Sequence, residues 1–438
     1  LVDENGVVIS GDFAYGLLAQ SVGGGGGTGG TTSNYSATVS KEGKPISLGS
    51  NIAGSGGEGG RSGNVDVAIS GTIVTVGDLA PGVLAQSVGG GGGAGGSSES
   101  MSANASLKGD QTIQGSASVG LGGAGGSGGV SGNVTVTPDT TGNALTIFTR
   151  GHLSKGFVAQ SIGGGGGTGG SASSTSYNKS KSKYTFGAAA NASGEGGTGG
   201  NSAIVTVGET SIAPLNLTIT TTGDSAEGFL AQSVGGGGGQ VGLGDSDGSG
   251  TVVLGGGVEG TYGSGGTLTL INAGGSLQAE GAFSPGVIHQ SIGGGGGWAL
   301  IDSLTTSTLG ANGTELATGA AITANVDGIF QTTGNTSPGF VVQTIGGGGG
   351  FAGNATGDAT LGGRNLSGDN SINGSSNILM PVACPFGSCD VQPVQQAILV
   401  DIQGDLITTG ATSPVMLVQA IGGGGGRLAT IGGNATLG

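Results

Sequence analysis

Few side chains in this chain of 438 residues are of types that do chemistry: two histidines, two cysteines, a lysine triplet and one close pair of aspartates. His152 sits in a turn-like Arg150-Gly151-His152, and His289 stands directly before a glutamine in an apolar run. No nucleophile–acid set or metal set recurs around either, so both read as structural. Asp245 and Asp247, in Gly-Asp-Ser-Asp-Gly, match the opening of a calcium loop. The rest of that loop, with its closing glutamate, is missing, and a plain turn fits better. Phosphate-binding glycine loops carry a lysine after the glycines. None of the glycine runs here has one, which rejects nucleotide binding. Lys179, Lys181 and Lys183 alternate between Tyr177 and Tyr184. They would suit an anionic surface glycan, and they suit better a strand edge blunted by lysine. Cleaving a polysaccharide needs clustered carboxylates or a metal, whereas the acidic residues here sit mostly singly, in turns. The chain reads as a non-enzyme with no cofactor.

Cys384 and Cys389 bound a short segment, Cys-Pro-Phe-Gly-Ser-Cys. A disulfide fits best and implies an oxidising compartment. Two free thiols are the alternative. Two sulfurs with no histidine nearby do not make a tetrahedral zinc site.

The glutamine that follows His289 belongs to a repeated motif. Its clearest copy is Gly228-Phe229-Leu230-Ala231-Gln232-Ser233-Val234, followed by five glycines. The glutamine recurs as Gln20, Gln86, Gln160, Gln232, Gln290, Gln343 and Gln419, and the glycine runs end at Gly27, Gly93, Gly167, Gly239, Gly297, Gly350 and Gly426. The motif is fixed and the spacing between copies varies, as in stacked repeats whose loops vary on the surface. Alternation puts Phe229, Ala231 and Ser233 on one face of a strand and Leu230, Gln232 and Val234 on the other. Both faces are largely apolar, so the strand is expected to be buried on both sides. A buried amide needs partners. Copies stacked in register at about 4.8 Å would let the seven glutamines form an amide ladder.

The elements that position this motif follow a common order: strand, long glycine run, variable polar hairpin, second glycine run, strand, strand. In the first unit the polar stretch 31–50 reads as a surface hairpin, and the second run is 54–60. Each unit folds back on itself through several strands, because one coil of such length would be too wide to fill. The flanking runs show a three-residue period, Gly122-Gly123-Ala124 and Gly125-Gly126-Ser127. Extended glycine in polyproline II has three residues per turn and no internal hydrogen bonds. Runs from successive units are expected to lie side by side and bond laterally as a glycine core. The centres of the runs, Gly25, Gly91, Gly165, Gly237, Gly295, Gly348 and Gly424, are its expected members. On that reading Gly237→Val is costly, while changes at Thr28 or Ser127 are cheap. A flexible linker is the competing reading.

Composition narrows the class. The chain has 110 glycines without a strict third-position period, which excludes collagen. Only 8% of residues are charged and the formal net charge is −15, which argues against nucleic-acid binding. No run of 18 apolar residues is present to form a membrane-spanning helix. The chain begins at Leu1 and stops at Gly438 just after a motif copy, and is expected to be a piece of a longer or processed protein. Double glycine runs mark residues 1–297. Residues 298–438 continue with single runs and a cysteine-containing insert at about 377–395. The expected fold class is all-β: an elongated, parallel β-solenoid-like stack with polyproline-II-type polyglycine segments in its core and its long axis along the stack.

The motif, its Gly-Gly triplets and the Thr-Gly-Asp turn together resemble the glycine-rich repeats of large Gram-negative surface proteins, the autotransporter passengers and giant adhesins. The resemblance covers essentially the whole chain, and the copies after residue 290 depart from it. It implies a secreted stalk at the cell surface, often anchored in the outer membrane by a C-terminal barrel. No barrel is visible here, so anchoring would run through parts of the chain not present. Three function classes follow. The first is a structural surface protein, either an adhesin stalk or a filament subunit that self-associates into filaments or a surface layer. The second is a binder of host or surface glycan, or of ice. The third, less favoured, is a polysaccharide-cleaving β-helix enzyme.

Overall fold

The computed structural model describes residues 11–41, 45–106, 114–139, 144–179, 184–208, 216–242, 244–247, 252–254, 263–295, 298–299, 304–309, 319–347, 351–361, 372–374, 398–402, 405–421, 427–431 and 435–437. These residues form strands and no helix, and their sheet ladders are parallel. Glycine disfavours helix by about 1 kcal/mol per residue, and the β-branched runs between the glycines favour strands.

The motif strands make one sheet of seven: Leu17–Val22, Val83–Val88, Phe157–Ile162, Phe229–Val234, Val287–Ile292, Phe340–Ile345 and Met416–Ile421. Each pairs in register with the next, glutamine beside glutamine. An eleven-stranded sheet lies opposite, containing Val65–Ile69, Val134–Pro138, Val205–Val207, Leu145–Thr149 and Leu217–Thr221 among others. Between the two sheets lies the hydrocarbon core, with Val83, Phe157, Phe229 and Phe340 from one side and Val134, Ile147, Ile219 and Ile322 from the other. The motif strand is not buried equally on its two faces. Val83, Ala85 and Ser87 are covered, while Leu84, Gln86 and Val88 on the outer face are half-buried. In other copies the first outer residue is covered as well, Val158, Leu230 and Val341 being 3%, 5% and 7% exposed, so burial on both sides holds for that position and not for the glutamine or the last apolar residue, which are half-buried.

The polar stretch between the glycine runs is not a hydrogen-bonded hairpin. Its outward leg pairs with the outward legs of other coils: Thr32–Ser40, Ser98–Ser106, Ala172–Lys179 and Gly244–Asp247 form one sheet. The return legs Ile46–Ile52, Gln114–Leu121, Thr185–Ala192 and Val252–Leu254 form another. The legs of one coil face each other through side chains, so the hairpins stack into a two-sheet fin. Serines fill its interior: Ser118 bonds Ser100 at 2.9 Å, and Ser102 donates to the Ala117 carbonyl at 2.9 Å. Small side chains let the two sheets approach closely.

Stacking seven strands at about 4.8 Å makes a column on the order of 30 Å tall. The outward leg from residue 83 to 106 is extended, with a contour of about 75 Å at about 3.1–3.3 Å per residue. In this chain the coil is therefore the larger dimension, contrary to the expectation of a long axis along the stack. Beyond residue 297 a separate sheet appears, built from Trp298–Ala299, Leu304–Leu309, Phe351–Leu361, Arg427–Ile431 and Ala435–Leu437.

Each coil turns into its motif strand through a left-handed residue that is not glycine: Phe13, Leu79, Leu153, Ser225, Phe283, Thr336 and Thr412, with φ between 52° and 61°. Such residues are costly by about 1–2 kcal/mol. Hydrogen bonds hold them in place. Leu79 N–H donates to the His152 carbonyl at 2.9 Å, and Leu153 N–H to the Asp224 carbonyl at 3.0 Å. A threonine at the end of the preceding strand clamps the turn: Thr75 bonds the Ala80 carbonyl at 2.6 Å, Thr149 the Ser154 carbonyl at 2.7 Å, and Thr221 the Ala226 carbonyl at 2.8 Å. Thr149 is fully buried. Thr149→Val keeps its volume and strips the clamp, leaving a buried carbonyl unpaired. We expect a loss of about 1–3 kcal/mol, read by thermal unfolding. A change within error would show that the turn needs no clamp.

Candidate functional site: the glutamine ladder and the glycine lattice

The seven glutamines form a continuous amide chain. Each side-chain NH2 donates to the next carbonyl oxygen: Gln20 to Gln86 at 3.1 Å, Gln86 to Gln160 at 3.3 Å and Gln160 to Gln232 at 2.7 Å. The chain continues from Gln232 to Gln290 at 2.6 Å, Gln290 to Gln343 at 2.6 Å and Gln343 to Gln419 at 2.5 Å. One strand register places every amide beside its equivalent, and the ladder points one way. Its chemistry is donation and acceptance between coils.

Directly behind six of the seven glutamines, on the inner face, lies a hydroxyl that sequence reading passed over. Ser87, Ser161 and Ser233 are fully buried. Each bonds a serine of the returning chain at 2.7 Å: Ser62, Ser131 and Ser202 respectively. That serine belongs to the preceding coil, and each hydroxyl also accepts a backbone N–H from the returning chain of its own coil: Gly132 to Ser87 at 2.8 Å, Ala203 to Ser161 at 2.9 Å and Gly266 to Ser233 at 2.7 Å. The signal was the serine that follows the glutamine in five consecutive motif copies, from Ser21 to Ser291. A third ladder runs through the turns. Asp78 Oδ1 accepts from His152 N–H at 2.8 Å, and Asp224 Oδ1 from Ala282 N–H at 2.8 Å.

The glycine runs bond by backbone alone. Gly92 N–H donates along the stack to the Gly165 carbonyl at 2.8 Å. Gly93 N–H donates sideways to the Gly57 carbonyl at 2.8 Å, and Gly57 N–H to Gly27 at 2.7 Å. Three residues on, the same roles recur: Gly95 donates to Thr168 at 2.7 Å and Gly96 to Gly54 at 2.8 Å. Outward and returning runs pair antiparallel, as Gly60 with Gly24, Gly57 with Gly27 and Gly54 with Gly30. A three-residue period is that of a threefold extended helix, in which each residue type keeps one face.

That period moves the packed positions away from the centres of the runs. A Cβ on Gly92 would overlap the Gly126 carbonyl oxygen, and one on Gly93 the Gly27 carbonyl oxygen. The central glycines face open space instead. The nearest atom to a Cβ on Gly91 or Gly165 is 3.9 Å away, on Gly237 it is 3.6 Å away, and Gly295 has none within 4 Å. Gly25 likewise meets only the Gly91 carbonyl oxygen at 3.9 Å. These centres serve the lattice through their carbonyls: Gly91 accepts from Gly26 at 2.8 Å. The expected cost of Gly237→Val is therefore corrected, because the central glycine shares the open face with Thr28, Ala94 and Thr168, three residues further on. Gly348 and Gly424 lie outside the described residues.

His289 occupies the inner column held by Ala85, Ala159 and Ala231 in earlier coils. Phe157 and Phe229 stack at 5.0 Å, and Val287 then interrupts the phenylalanine column. The imidazole fills that gap, 5.4 Å from Phe229 and 6.0 Å from Phe340. It is fully buried, and neither ring nitrogen has a hydrogen-bond partner. Burial pushes its pKa down to about 3. A general acid or base needs a partner within reach, so His289 is an aromatic filler.

The other candidates do not converge. His152 lies in an exposed turn, and Lys179 ends an outward fin strand. Asp245 and Asp247 sit in the strand Gly244–Asp247, opposite Ser173 and Thr175, and not in a turn. Lys181, Lys183, Cys384 and Cys389 lie outside the described residues. Among the described residues no three His, Cys, Asp or Glu side chains gather as a metal site. Comparison with family models, curated proteins and solved structures finds no match to this chain.

Two outcomes test the site. Gly92→Ala and Gly126→Ala should each lose about 1–3 kcal/mol through overpacking, while Gly91→Ala and Gly237→Ala stay within about 0.5 kcal/mol. Equal losses in a thermal melt series would contradict the threefold lattice. For His289, the unfolded chain titrates near 6.5 and the folded one near 3. The unfolded state takes up the proton first, so stability is full above pH 6.5 and falls by up to about 1.4 kcal/mol per pH unit below it. His289→Phe should flatten this part of the stability–pH curve; an unchanged curve would assign the acid sensitivity elsewhere.

Proposed function

We propose that this chain is the body of an extracellular structural protein, a stalk or filament subunit, with no catalytic role. We read its architecture as a parallel β-solenoid whose glycine runs are polyproline-II strands. One observation carries this reading: the repeated polar features are spent between coils. The glutamine amides, the serine hydroxyls behind them and the turn carboxylates each bond a neighbouring coil. A protein whose repeated glutamines, inner serines and turn carboxylates serve stacking is suited to bearing length and load. Its sparse charge and its serine, threonine and glycine surface support an exported location, as does the resemblance to Gram-negative surface repeats.

A second reading, a glycan- or ice-binding module, draws on the outward column Thr135, Thr206, Thr269 and Thr323, adjacent across paired strands. Electron microscopy of the intact native protein, together with protease shaving of intact producing cells, tests the first reading. Rods or filaments that are removed by external protease are expected. Compact particles retained inside the cell would overturn it. Ice-recrystallisation inhibition lost in Thr206→Leu would favour the second.

A further inference from the structure

The fin is built inside out. Its interior holds Ser100, Ser102, Ser116, Asn104, Asn191 and Gln114, all buried. The outer face of its return sheet is uncharged and mostly hydrocarbon, with Ser50, beside Val119, the one hydroxyl on it among the described residues. The first coil supplies Ile46, Leu48 and Ile52, exposed at 58%, 73% and 70%. The second supplies Val119, exposed at 38%, and the third Phe186, at 52%. Register sets Ala188, Ala190 and Ala192 beside Ala117, Val119 and Leu121 on the third coil. No charged residue lies on these three rows. The opposite outer face differs: it carries Glu99 and Lys179, and Tyr35 hydrogen-bonds Glu99.

We propose that this return-sheet face pairs with the same face of a second copy of the chain. The relief is self-complementary. The first row is bulky, the third is alanine after Phe186, and the Phe186 ring leans over Gly115 of the middle row. A two-fold axis parallel to the strands, over the middle row, sets Leu48 and Ile52 on Ala188 and Ala192 of the second copy and Val119 on its own equivalent. Lacking charge, the face offers nothing to complement an acidic or basic partner. Three strands of about seven residues present about 330 Å2, well under half of the ~800 Å2 per partner of a standard interface. The pairing is therefore reversible and depends on concentration. The inference stands on the fin alone and does not depend on the surface-protein reading.

Sedimentation equilibrium of the full chain over a concentration series tests it. The mass should rise from one chain towards two. Val119→Asp should remain a single chain throughout, and Met101→Asp, on the opposite face, should pair like the parent, all with unchanged circular dichroism. Mixing Leu48→Cys chains with Ala188→Cys chains should give an oxidised 48–188 cross-link, located by peptide mapping. This arm decides the matter if Val119→Asp fails to fold. A single chain at every concentration, pairing retained in Val119→Asp, or 48–48 links in place of 48–188 would each overturn the proposal. Flotation of the single chain with neutral phosphatidylcholine vesicles, lost in Val119→Asp, would assign the face to lipid and overturn it as well.

Discussion

A backbone amide buried without side chains around it has to be satisfied by another backbone at close range. That requirement governs this molecule. Two glycine runs per coil pass through the middle of the earlier units, and their amides bond the neighbouring coil and the returning run. Ordering glycine costs more entropy than ordering any other residue. The arrangement offsets that cost because the absence of Cβ allows runs to bond both along the stack and across it. A single methyl on Gly92 or Gly93 would meet a carbonyl oxygen. The strands before and after the runs must then keep register, since a slip of one residue would rotate the threefold pattern and bring a side chain against backbone.

Register, once imposed, is used repeatedly. The same alignment that seats the glycines brings glutamine to glutamine on the outer face and serine to serine inside. It also lets non-glycine residues hold left-handed conformations, because the first six of the seven turns each hang on the next through a backbone bond. Where the hydrocarbon column is broken at Val287, His289 restores volume and accepts the loss of hydrogen bonds to its ring. Packing outweighs polarity at that position.

The fin and the body solve the same problem with opposite chemistry. In the body, hydrocarbon is enclosed between two sheets. In the fin, serine and asparagine are enclosed and hydrocarbon faces outward on the return sheet. Enclosed hydroxyls cost little where they find a carbonyl or another hydroxyl, although Ser98 Oγ and both amide atoms of Gln114 have no partner among the described residues, and small side chains keep the fin thin. Length variation between coils falls largely here, away from the lattice, so the body keeps its cross-section while the fin changes.

The amino-acid sequence by itself determined the repeat, the β character and the glutamine column, because side-chain alternation and motif spacing are written in one dimension. It also held the three-residue glycine period, visible in Ala124, Ser127 and Val130, and the serine after the glutamine in the first five copies. Which glycines are crowded was decided only in the tertiary structure. Five identical residues carry no mark of facing, and only the neighbouring runs show that the central one looks outward. The polar hairpins likewise read as antiparallel pairs, since two polar strands joined by a loop look alike whether they bond to each other or to the next coil. The partner was chosen by the stack: in-register pairing with an equivalent leg satisfies every backbone group that the hairpin would have satisfied, and it does so without breaking the glycine lattice.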